Sequence, residues 1–419
     1  MAQPKRAERI SVSAARHGRL KRSATWANVA KVLLTTALVF AISGVSVAAY
    51  AIWGVVSEAN TIDLTPVSDE PMANAVGAGK QSLDGELTIL LVGSDSRQGQ
   101  TLDDGEEGEL NDVNLLLHVP ADHQSATIIS FPRDLMVPIP SCPGPNGEPN
   151  YYSSMSEQQL NSSMMYGGLP CVAETISALS GIDIPYAAMV TFDGVINITN
   201  AIGGVEVCLS QPLVDSNVGL DLPAGNVSLQ GYDALQFLRT RYGVGDGSDV
   251  SRISNQQVYM SSLLRQLRSA ETLTNPVKVY SLAKAGFESL TLSSSMASIE
   301  FMQALAGTVV DIDLDRVNFV QYPSSTHPYE AGRLTPNRFA GSQLMDVVLS
   351  GEPFEIAGTG TGAVVAETPE PEVPVEGETA PEGEATPAEP AAPEVVVLPE
   401  SITGQSASDV TCSAGRTRW

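Results

Sequence analysis

The first candidate for chemistry is a set of two acids and two arginines at the ends of short apolar runs. Asp95 and Arg97 follow one run, Asp112 begins the next, and Arg133 follows the third. A pair of carboxylates suits a hard cation such as Mg²⁺, which takes one or two protein carboxylates and completes its shell with water or phosphate oxygens. The sequence therefore predicts a magnesium site at Asp95 and Asp112, and the alternative is that these residues only cap exposed turns.

A second set lies later in the chain, in a segment rich in arginine. Arg239 and Arg241 are two residues apart, so in an extended segment both side chains would point to one face. After a glycine-rich bend, Asp249, Arg252 and Gln256 recur at the spacing of one helix face. Because the guanidinium fork matches phosphate oxygens, the set predicts a diphosphate-binding site. The alternative is an internal ion-pair network with the neighbouring aspartates.

The sequence lacks most of the residues and motifs that several common catalytic sites require. The chain has four histidines, no G-x-S-x-G motif and no GxxxxGK[ST] loop, which disfavours a histidine metal site, a serine nucleophile and a P-loop. His118 lies within an apolar run and is predicted to be a packed core residue. Neutralising the charge of a phosphate leaving group is therefore favoured over covalent catalysis.

Three short apolar runs must position the first set. Leu87–Val92, Val113–Val119 and Ala126–Phe131 are predicted to be strands separated by turn-rich intervals. The interval before the third run is short enough for a hairpin, so the simplest topology is an antiparallel meander. In such a meander the end of the first strand, the start of the second and the end of the third share one sheet edge. The two acids and Arg133 are therefore expected to lie together.

The rest of the pattern alternates helices and strands. Helical spacing occurs over Ser153–Ile182, with a break near Gly168, and again over Val250–Leu267 and Ala297–Val309. The segments predicted to be strands or strand-like are Pro185–Phe192, Ile202–Leu209 and Ala234–Arg241. The predicted fold class is α/β, a single extracytoplasmic domain with a central mixed, largely antiparallel sheet covered by helices on both faces.

Charge is distributed unevenly along the 419 residues. The formal net charge of −25 argues against nucleic acid as a partner. Residues 1–31 nevertheless hold eight basic side chains against one acid, and residues 32–56 contain no charged residue. This pattern predicts a basic cytoplasmic stub and one transmembrane helix that anchors the protein in the cell membrane, with the rest of the chain outside. The alternative is a cleaved signal peptide.

Composition also divides the exported part. Residues 57–85 are predicted to be a stalk, and residues 86–356 a catalytic domain. Residues 361–400 hold ten glutamates and eight prolines without lysine or arginine, so residues 357–419 are predicted to be a disordered acidic tail. Of the four cysteines, Cys142 and Cys171 are the preferred disulfide pair, and buried free thiols are the alternative.

A series of ordered motifs runs from about Leu87 to Leu267, with a looser continuation to about Phe354. They read ILLVGSDSR, NDVNLLLHV, ATIISFPRDLMV, GIDIPYAAMVTFDGVINITNAIGGVEV, LQGYDALQFLRTR and SDVSRISNQQ. In this order they resemble the LytR-CpsA-Psr family of cell-wall glycopolymer ligases, and the second and third motifs look most like the actinobacterial branch. The resemblance implies that family's fold and its layout of stub, single anchor and exported domain.

The resemblance implies a phosphotransferase that moves a glycopolymer from a polyprenyl diphosphate carrier onto a hydroxyl of peptidoglycan. It implies that Asp95 and Asp112 hold Mg²⁺ as the cofactor. The residues implied to bind the diphosphate are Arg97, Arg133, Arg239, Arg241, Arg252 and Gln256. Asp249 is the candidate for receiving or organising the acceptor proton, and Arg133 is the second predicted catalytic residue. The isoprenoid is expected between sheet and helices. Its candidate lining residues are Ile176, Leu179, Ile182 and Ile196, although ordinary core is the favoured role for them.

Two positions depart from the family pattern. Leu110 and Asn255 stand where family members often have arginine, which leaves an altered substrate or a lower activity open. Two other functions also stay open: hydrolysis of a polyprenyl diphosphate by water, and a non-catalytic scaffold that binds lipid-linked glycan or cell wall. Transcriptional regulation is disfavoured, because the stub of residues 1–31 is too short and too charged for a helix-turn-helix.

Overall fold

The computed structural model describes residues 54, 59–64, 85–96, 109–144, 148–269, 272, 275–356, 358–365 and 395–416. The predicted cytoplasmic stub, the predicted transmembrane helix apart from Gly54, Arg97 and most of the predicted stalk lie outside these residues. Within the described ranges, no helix is long and apolar enough to span a membrane.

The described residues form twenty strands. The first ten are β1 (Asn60–Ile62), β2 (Leu87–Ser94), β3 (Asn111–Val119), β4 (Ala126–Ser130), β5 (Met136–Ile139), β6 (Met155–Gln159), β7 (Tyr186–Val190), β8 (Val205–Leu209), β9 (Leu213–Asp215) and β10 (Leu220–Leu222). The others are β11 (Gly225–Leu229), β12 (Leu290–Ser293), β13 (Val317–Gln321), β14 (Ser324–Thr326), β15 (Leu334–Pro336), β16 (Phe354–Glu355), β17 (Ala363–Val365), β18 (Val396–Val397), β19 (Gly404–Ser406) and β20 (Thr411–Ser413).

Seven α-helices are seen in the same part of the chain. They are α1 (Gly168–Ser180), α2 (Phe192–Ile202), α3 (Tyr232–Arg239), α4 (Asp249–Leu267), α5 (Pro276–Ser289), α6 (Ile299–Val310) and α7 (Arg338–Ser350). Short 3₁₀ segments span Leu160–Tyr166, Ser294–Met296 and Leu314–Arg316. Helix α4 begins where it does because the Ser248 side chain accepts the main-chain N–H of Ser251, which satisfies one of the donors that a helix start leaves open.

The central sheet has eight strands in the order β1-β12-β7-β2-β3-β4-β13-β19. Strands β2, β3 and β4 form the predicted antiparallel meander, with Leu91 opposite Leu115 and Leu116 opposite Ile129. The pairs β1–β12, β2–β7 and β4–β13 are parallel, and the other four of the seven pairings are antiparallel. The sheet is therefore mixed, as predicted, and antiparallel pairs hold only a narrow majority.

Helices cover both faces of this sheet, as predicted. On one face Leu90 and Leu116 pack with Ile176 of α1 and Leu344 of α7, and all four side chains are fully buried. The other face packs against α6 through Phe301. Each fully buried side chain of this size contributes about 1.5–3 kcal/mol to stability. These two layers hold rigid the sheet edge at which β2 ends and β3 begins.

The C-terminal residues do not form the predicted disordered tail. Strand β19 pairs with β13 at the edge of the central sheet, and β20 lies between β8 and β17 in a second sheet of order β11-β8-β20-β17. The prediction for residues 357–419 is therefore wrong for residues 358–365 and 395–416. The acidic, proline-rich composition lies mainly before residue 395, and the short strands beyond it gain their partners from distant parts of the chain.

Two disulfides fasten the domain. Cys142–Cys171 is the predicted bridge, and it joins residues 29 apart in the sequence. Cys208–Cys412 was not predicted, and it ties β8 to β20 across 204 residues.

Two predictions from local pattern are wrong. Ala234–Arg241 is not strand-like, because Tyr232–Arg239 forms helix α3, which buries Ala234 and Phe237 on one face. The first of the two helices predicted within Ser153–Ile182 is replaced by β6 and a 3₁₀ segment, while the second is α1. In both places packing against the rest of the domain decides the local structure.

Candidate active site

A cavity of about 310 Å³ lies between the central sheet and helices α2, α3 and α4. Its charged and amide lining residues are Asp112, Arg133, Arg239, Arg241, Arg252, Gln256 and Gln257. Its apolar lining residues are Leu91, Val113, Leu115, Val190, Phe192, Val195, Val218, Leu235, Leu238, Met260 and Phe319. Along β3 the lining changes from Asp112 to Leu115, and along α4 it changes from Arg252 to Met260. The polar and apolar linings are thus separated along both elements.

Arg133 stands at the centre of the polar part. Its Nη1 donates to Asp112 Oδ1 at 2.6 Å, and its Nε lies 3.9 Å from Asp134 Oδ2 and 3.8 Å from Asp249 Oδ1. Burial by itself would lower the pKa of Arg133, but the carboxylates of Asp112 and Asp249 outweigh it and raise that pKa above its ordinary value. Arg133 is therefore a fixed cation that ties the end of β4 to the start of β3.

Arg252 and Asp249 form a buried ion pair on the first turn of α4. Arg252 Nη2 lies 2.5 Å from Asp249 Oδ1 and donates to the main-chain oxygen of Asp112 at 3.0 Å. Asp249 Oδ2 in turn accepts the main-chain N–H of Arg133 at 3.1 Å. Burial holds the pKa of Arg252 below its ordinary value although Asp249 opposes that shift. Asp249 is not among the residues that line the cavity, whereas Arg252 is.

Arg239 and Arg241 both line the cavity, but for a different reason from the predicted one. Arg239 is the last residue of α3, and its guanidinium carbon lies 4.4 Å from the centroid of the Phe192 ring. Arg241 lies beyond the helix, and its Nη2 donates to Asp134 Oδ2 at 3.1 Å. The two arginines converge because the chain turns after α3, and they do not share a face of an extended strand.

Asp134 was not predicted to belong to the site, but three side chains donate hydrogen bonds to it. Its buried carboxylate accepts from Arg241, from Gln159 and, at 2.9 Å, from Arg333 Nη1. Arg333 precedes β15, whose Leu334 forms a bridge with Leu135. Sequence reasoning missed Arg333, and a single arginine in a glycine-containing turn gives no signal by which to find it. Asp134 therefore links Arg241 to a part of the chain about ninety residues away.

Asp95 and Asp112 come together at adjoining strand ends. Asp95 accepts the main-chain N–H of Leu110 at 2.7 Å and donates its own N–H to the Leu110 oxygen at 3.1 Å. Burial alone would raise the pKa of Asp112, but the charges of Arg133 and Arg252 outweigh it and keep that pKa below its ordinary value.

Two carboxylates at neighbouring positions fit a magnesium ion that takes its other ligands from water and phosphate. Asp112 lines the cavity, where phosphate oxygens would complete such a shell. In the residues that the structure describes, no group of three or more His, Cys, Asp or Glu side chains is placed to hold a metal ion. The two carboxylates therefore fit a magnesium ion only when a bound ligand, such as a phosphate, supplies further oxygen atoms.

The two positions at which an arginine was expected hold other contacts. The main-chain N–H and carbonyl oxygen of Leu110 both form hydrogen bonds with Asp95. Asn255 is fully buried, and its Nδ2 donates to the Phe237 oxygen at 3.0 Å. The next residue, Gln256, lines the cavity, but its Nε2 donates to the Leu238 oxygen at 2.9 Å. Both amides thus cap the last turn of α3.

The residues suggested to line an isoprenoid tunnel do not line the cavity. Ile176 and Ile182 are buried in the core on one face of the sheet, and Leu179 packs against that core. Ile196 is also absent from the lining. The apolar lining comes instead from β2, β3, β7 and β13 and from helices α2, α3 and α4. Ile176, Leu179 and Ile182 thus have the favoured role of ordinary core, and binding of an isoprenoid between sheet and helices stays a prediction.

The lining of the cavity is cationic, with four arginines against the single carboxylate of Asp112. Carboxylates hold Arg133, Arg241 and Arg252 in place, and Arg239 lies against the Phe192 ring, so little side-chain entropy is lost when an anion binds. The arrangement suits a molecule with a phosphate-bearing head and a long apolar chain.

Comparison with known proteins gives a consistent picture. Residues 53–337 match the model of the LytR_cpsA_psr family. The chain is 35% identical over 252 residues to the cell wall biosynthesis protein LcpA of Corynebacterium glutamicum, covering 54% of this chain and 48% of that protein. It is 27% identical over 191 residues to the polyisoprenyl-teichoic acid–peptidoglycan teichoic acid transferase TagU of Enterococcus faecalis, covering 45% and 56%. The chain thus spans about half the length of these curated relatives.

A solved structure is similar in fold. The LytR-Csp2A-Psr enzyme from Actinomyces oris superposes with a TM-score of 0.52 at 21% identity, covering 69% of this chain and 95% of that one.

Proposed function

Because the chain belongs to the LytR_cpsA_psr family, we propose that it transfers a glycopolymer phosphate from a polyprenyl diphosphate carrier to a hydroxyl of peptidoglycan. One observation carries the proposal: a single cavity joins an arginine-lined part to an apolar part. A polyprenyl diphosphate has the same division between an anionic head and an apolar chain. The name of the Enterococcus faecalis relative, a polyisoprenyl-teichoic acid–peptidoglycan teichoic acid transferase, supports the same substrate class.

In the proposed reaction the acceptor hydroxyl oxygen attacks the phosphorus that bears the glycan. A new P–O bond forms while the bond to the bridging oxygen breaks, and polyprenyl monophosphate leaves with the bonding electron pair. The departing phosphate takes up the hydroxyl proton, since its second pKa is about 6. The products are a phosphodiester between glycan and peptidoglycan and a polyprenyl monophosphate.

The residues of the cavity have distinct roles in this proposal. Arg239, Arg241 and Arg252 bind the diphosphate and neutralise the charge that develops on the leaving group. Arg133 holds the carboxylates of Asp112 and Asp249 in place beside that head group. Gln256 lies among them but acts through the end of α3, because its amide donor is bonded to the Leu238 oxygen.

Magnesium is part of the proposal. Asp112 would be its principal protein ligand, with Asp95 as the second carboxylate at the adjoining strand end. When bound, the ion would withdraw charge from the phosphate oxygens that it contacts.

Membrane attachment also belongs to the proposal. The donor carries its lipid in the cell membrane and the acceptor lies outside it, which matches the predicted helix over residues 32–56 and a stub over residues 1–31 in the cytoplasm.

Release of polyprenyl monophosphate by the full chain in detergent tests the function, with a lipid-linked glycan as donor and peptidoglycan fragments as acceptor. Arg239→Ala is expected to slow release about 100-fold, which is typical of removing one group that stabilises developing charge. The matched control is Arg316→Ala, at an exposed arginine away from the cavity. Mass spectrometry should show a glycosyl phosphate on the fragments.

Other outcomes would identify a different function. Monophosphate release without any adduct on peptidoglycan would mean hydrolysis, with water as the acceptor. Binding of the lipid-linked glycan without turnover would mean a scaffold. Equal activity of Arg239→Ala and Arg316→Ala would overturn the assignment of the site.

A further inference from the structure

The last described residues of the chain contact the elements that carry the arginines. Residues 411–416, called here the C-terminal clasp, include β20, which pairs with β8 on one side and β17 on the other. The Cys208–Cys412 disulfide fastens the clasp to β8. The clasp lies outside residues 53–337, the part of the chain that matches the family.

The clasp reaches the end of α3 through one buried side chain. Ser413, which is fully buried, donates its hydroxyl to Asn255 Oδ1. The Asn255 Nδ2 then donates to the Phe237 oxygen at 3.0 Å. Phe237 lies in the last turn of α3, where carbonyl oxygens have no partner within the helix. With its Oδ1 engaged by Ser413, the Asn255 amide is fixed in the orientation that donates to α3.

Within the part of the chain that the structure describes, the Asn255 side chain bonds to Phe237 and Ser413 alone, so its orientation matters. If the amide turned over, its oxygen would face the carbonyl oxygen of Phe237, which brings two acceptors together without a hydrogen. Arg239 is two residues after Phe237 and Arg252 is three residues before Asn255. The Asn255 and Gln256 amides both join α4 to the end of α3, and Ser413 fixes the first of them. The Ser413–Asn255 contact therefore contributes to the separation of these two guanidinium groups.

The clasp also holds the loop that joins Arg241 to Asp249. Gly245 donates its main-chain N–H to the Ala414 oxygen at 3.1 Å, and Val244 forms a bridge with Gly415. Gly245 has a φ of +47°, and a Cβ there would lie 2.5 Å from the Ser251 hydroxyl, so the close approach requires glycine.

We propose that Ser413 is a positioning residue for the phosphate-binding arginines, and that it acts through Asn255 on the end of α3. Its effect on ligand binding rests on the proposed function, because the ligand is taken to be a polyprenyl diphosphate. Its effect on the geometry of α3 does not depend on the proposed function.

The test compares Ser413→Ala with Ser408→Ala in the full chain. Ser408 is exposed in the same segment and bonds only to Ser406 among the contacts described. Binding of farnesyl diphosphate and of uncharged farnesol is measured by calorimetry. Ser413→Ala is expected to raise the Kd for farnesyl diphosphate about tenfold and to leave the Kd for farnesol within about twofold, because only the head-group site is disturbed. Ser408→Ala should bind both as the wild type does.

Hydrogen exchange provides a readout that does not depend on any ligand. In Ser413→Ala, amides of residues 236–241 at the end of α3 are expected to exchange faster, while those of α4 stay protected. A second variant, Cys208→Ser with Cys412→Ser, is expected to speed exchange over residues 243–247 as well.

Each outcome decides the proposal. Unchanged farnesyl diphosphate binding with unchanged exchange over residues 236–241 overturns it. Equal weakening of both ligands also overturns it, since that pattern means a general loss of the fold. If the wild type binds no farnesyl diphosphate, the proposed substrate class is wrong. The hydrogen-exchange result then decides by itself whether Ser413 positions the end of α3.

Discussion

Replacing Asp249 with asparagine is expected to destabilise the protein as well as to impair turnover. The carboxylate is 3% exposed, lies 2.5 Å from an Arg252 guanidinium that is 5% exposed, and accepts the Arg133 main-chain N–H. A neutral amide would leave the Arg252 charge buried without its countercharge. Breaking a buried pair in this way costs about 3–5 kcal/mol. Because asparagine can still accept the Arg133 N–H, we expect a loss near the lower end, about 3 kcal/mol.

Urea unfolding with the disulfides intact measures this loss as a change in the free energy of unfolding. Asp233→Asn is the matched control, since Asp233 is an exposed acid on the first turn of α3, and it should change stability by less than about 0.5 kcal/mol. Arg252→Gln and the double variant complete a cycle, in which a direct pair gives a coupling energy of about 2 kcal/mol.

The opposite pattern would refute the reasoning. If Asp249→Asn kept the stability of the wild type and lost turnover alone, the carboxylate would act on the acceptor hydroxyl instead of organising the arginines. A coupling energy near zero would likewise show that Asp249 and Arg252 do not stabilise each other.

Two further predictions concern the disulfides and a buried histidine. Removing Cys208–Cys412 should destabilise more than removing Cys142–Cys171, about 5 against about 3.5 kcal/mol from loop entropy, since the closed segments are 204 and 29 residues; urea unfolding in the reverse order would contradict this. Burial lowers the pKa of His118 from its ordinary value of 6.5. Neutral His118 therefore costs no stability above pH 6.5. The free energy of unfolding falls as the pH drops below that value, because the unfolded chain takes up the proton more readily than the folded chain. His118→Leu should flatten this fall, and an unchanged slope of unfolding free energy against pH would exclude His118 as its cause.

The meander and the ion pair of Asp112 with Arg133 were predictable, because they depend on contiguous apolar runs and short turns. Strand order follows directly from such patterns when neighbours in sequence are neighbours in the sheet. The second set of residues was predicted to converge for the wrong reason. Arg239 ends a helix, and the alternation that suggested a strand is also compatible with a short amphipathic helix whose buried face is set by α4.

What the sequence did not predict depends on contacts between distant segments. The strands β19 and β20 are three residues each and follow an acidic, proline-rich stretch, so local composition favours disorder. Their pairing with β13 and β8 is the cause of their order. The Arg333–Asp134 pair and the Ser413–Asn255 bond span 199 and 158 residues, and no local pattern encodes them.

The position of β20 has a consequence for the order of events during synthesis. The chain emerges from the ribosome at roughly 5–20 residues per second, so Cys208 waits roughly 10–40 s for Cys412. Cys142 and Cys171 are already available throughout that interval, and either is a competing partner. Early closure of the Cys142–Cys171 bridge would remove both competitors, and β20 is the last strand of the chain to become available for the second sheet.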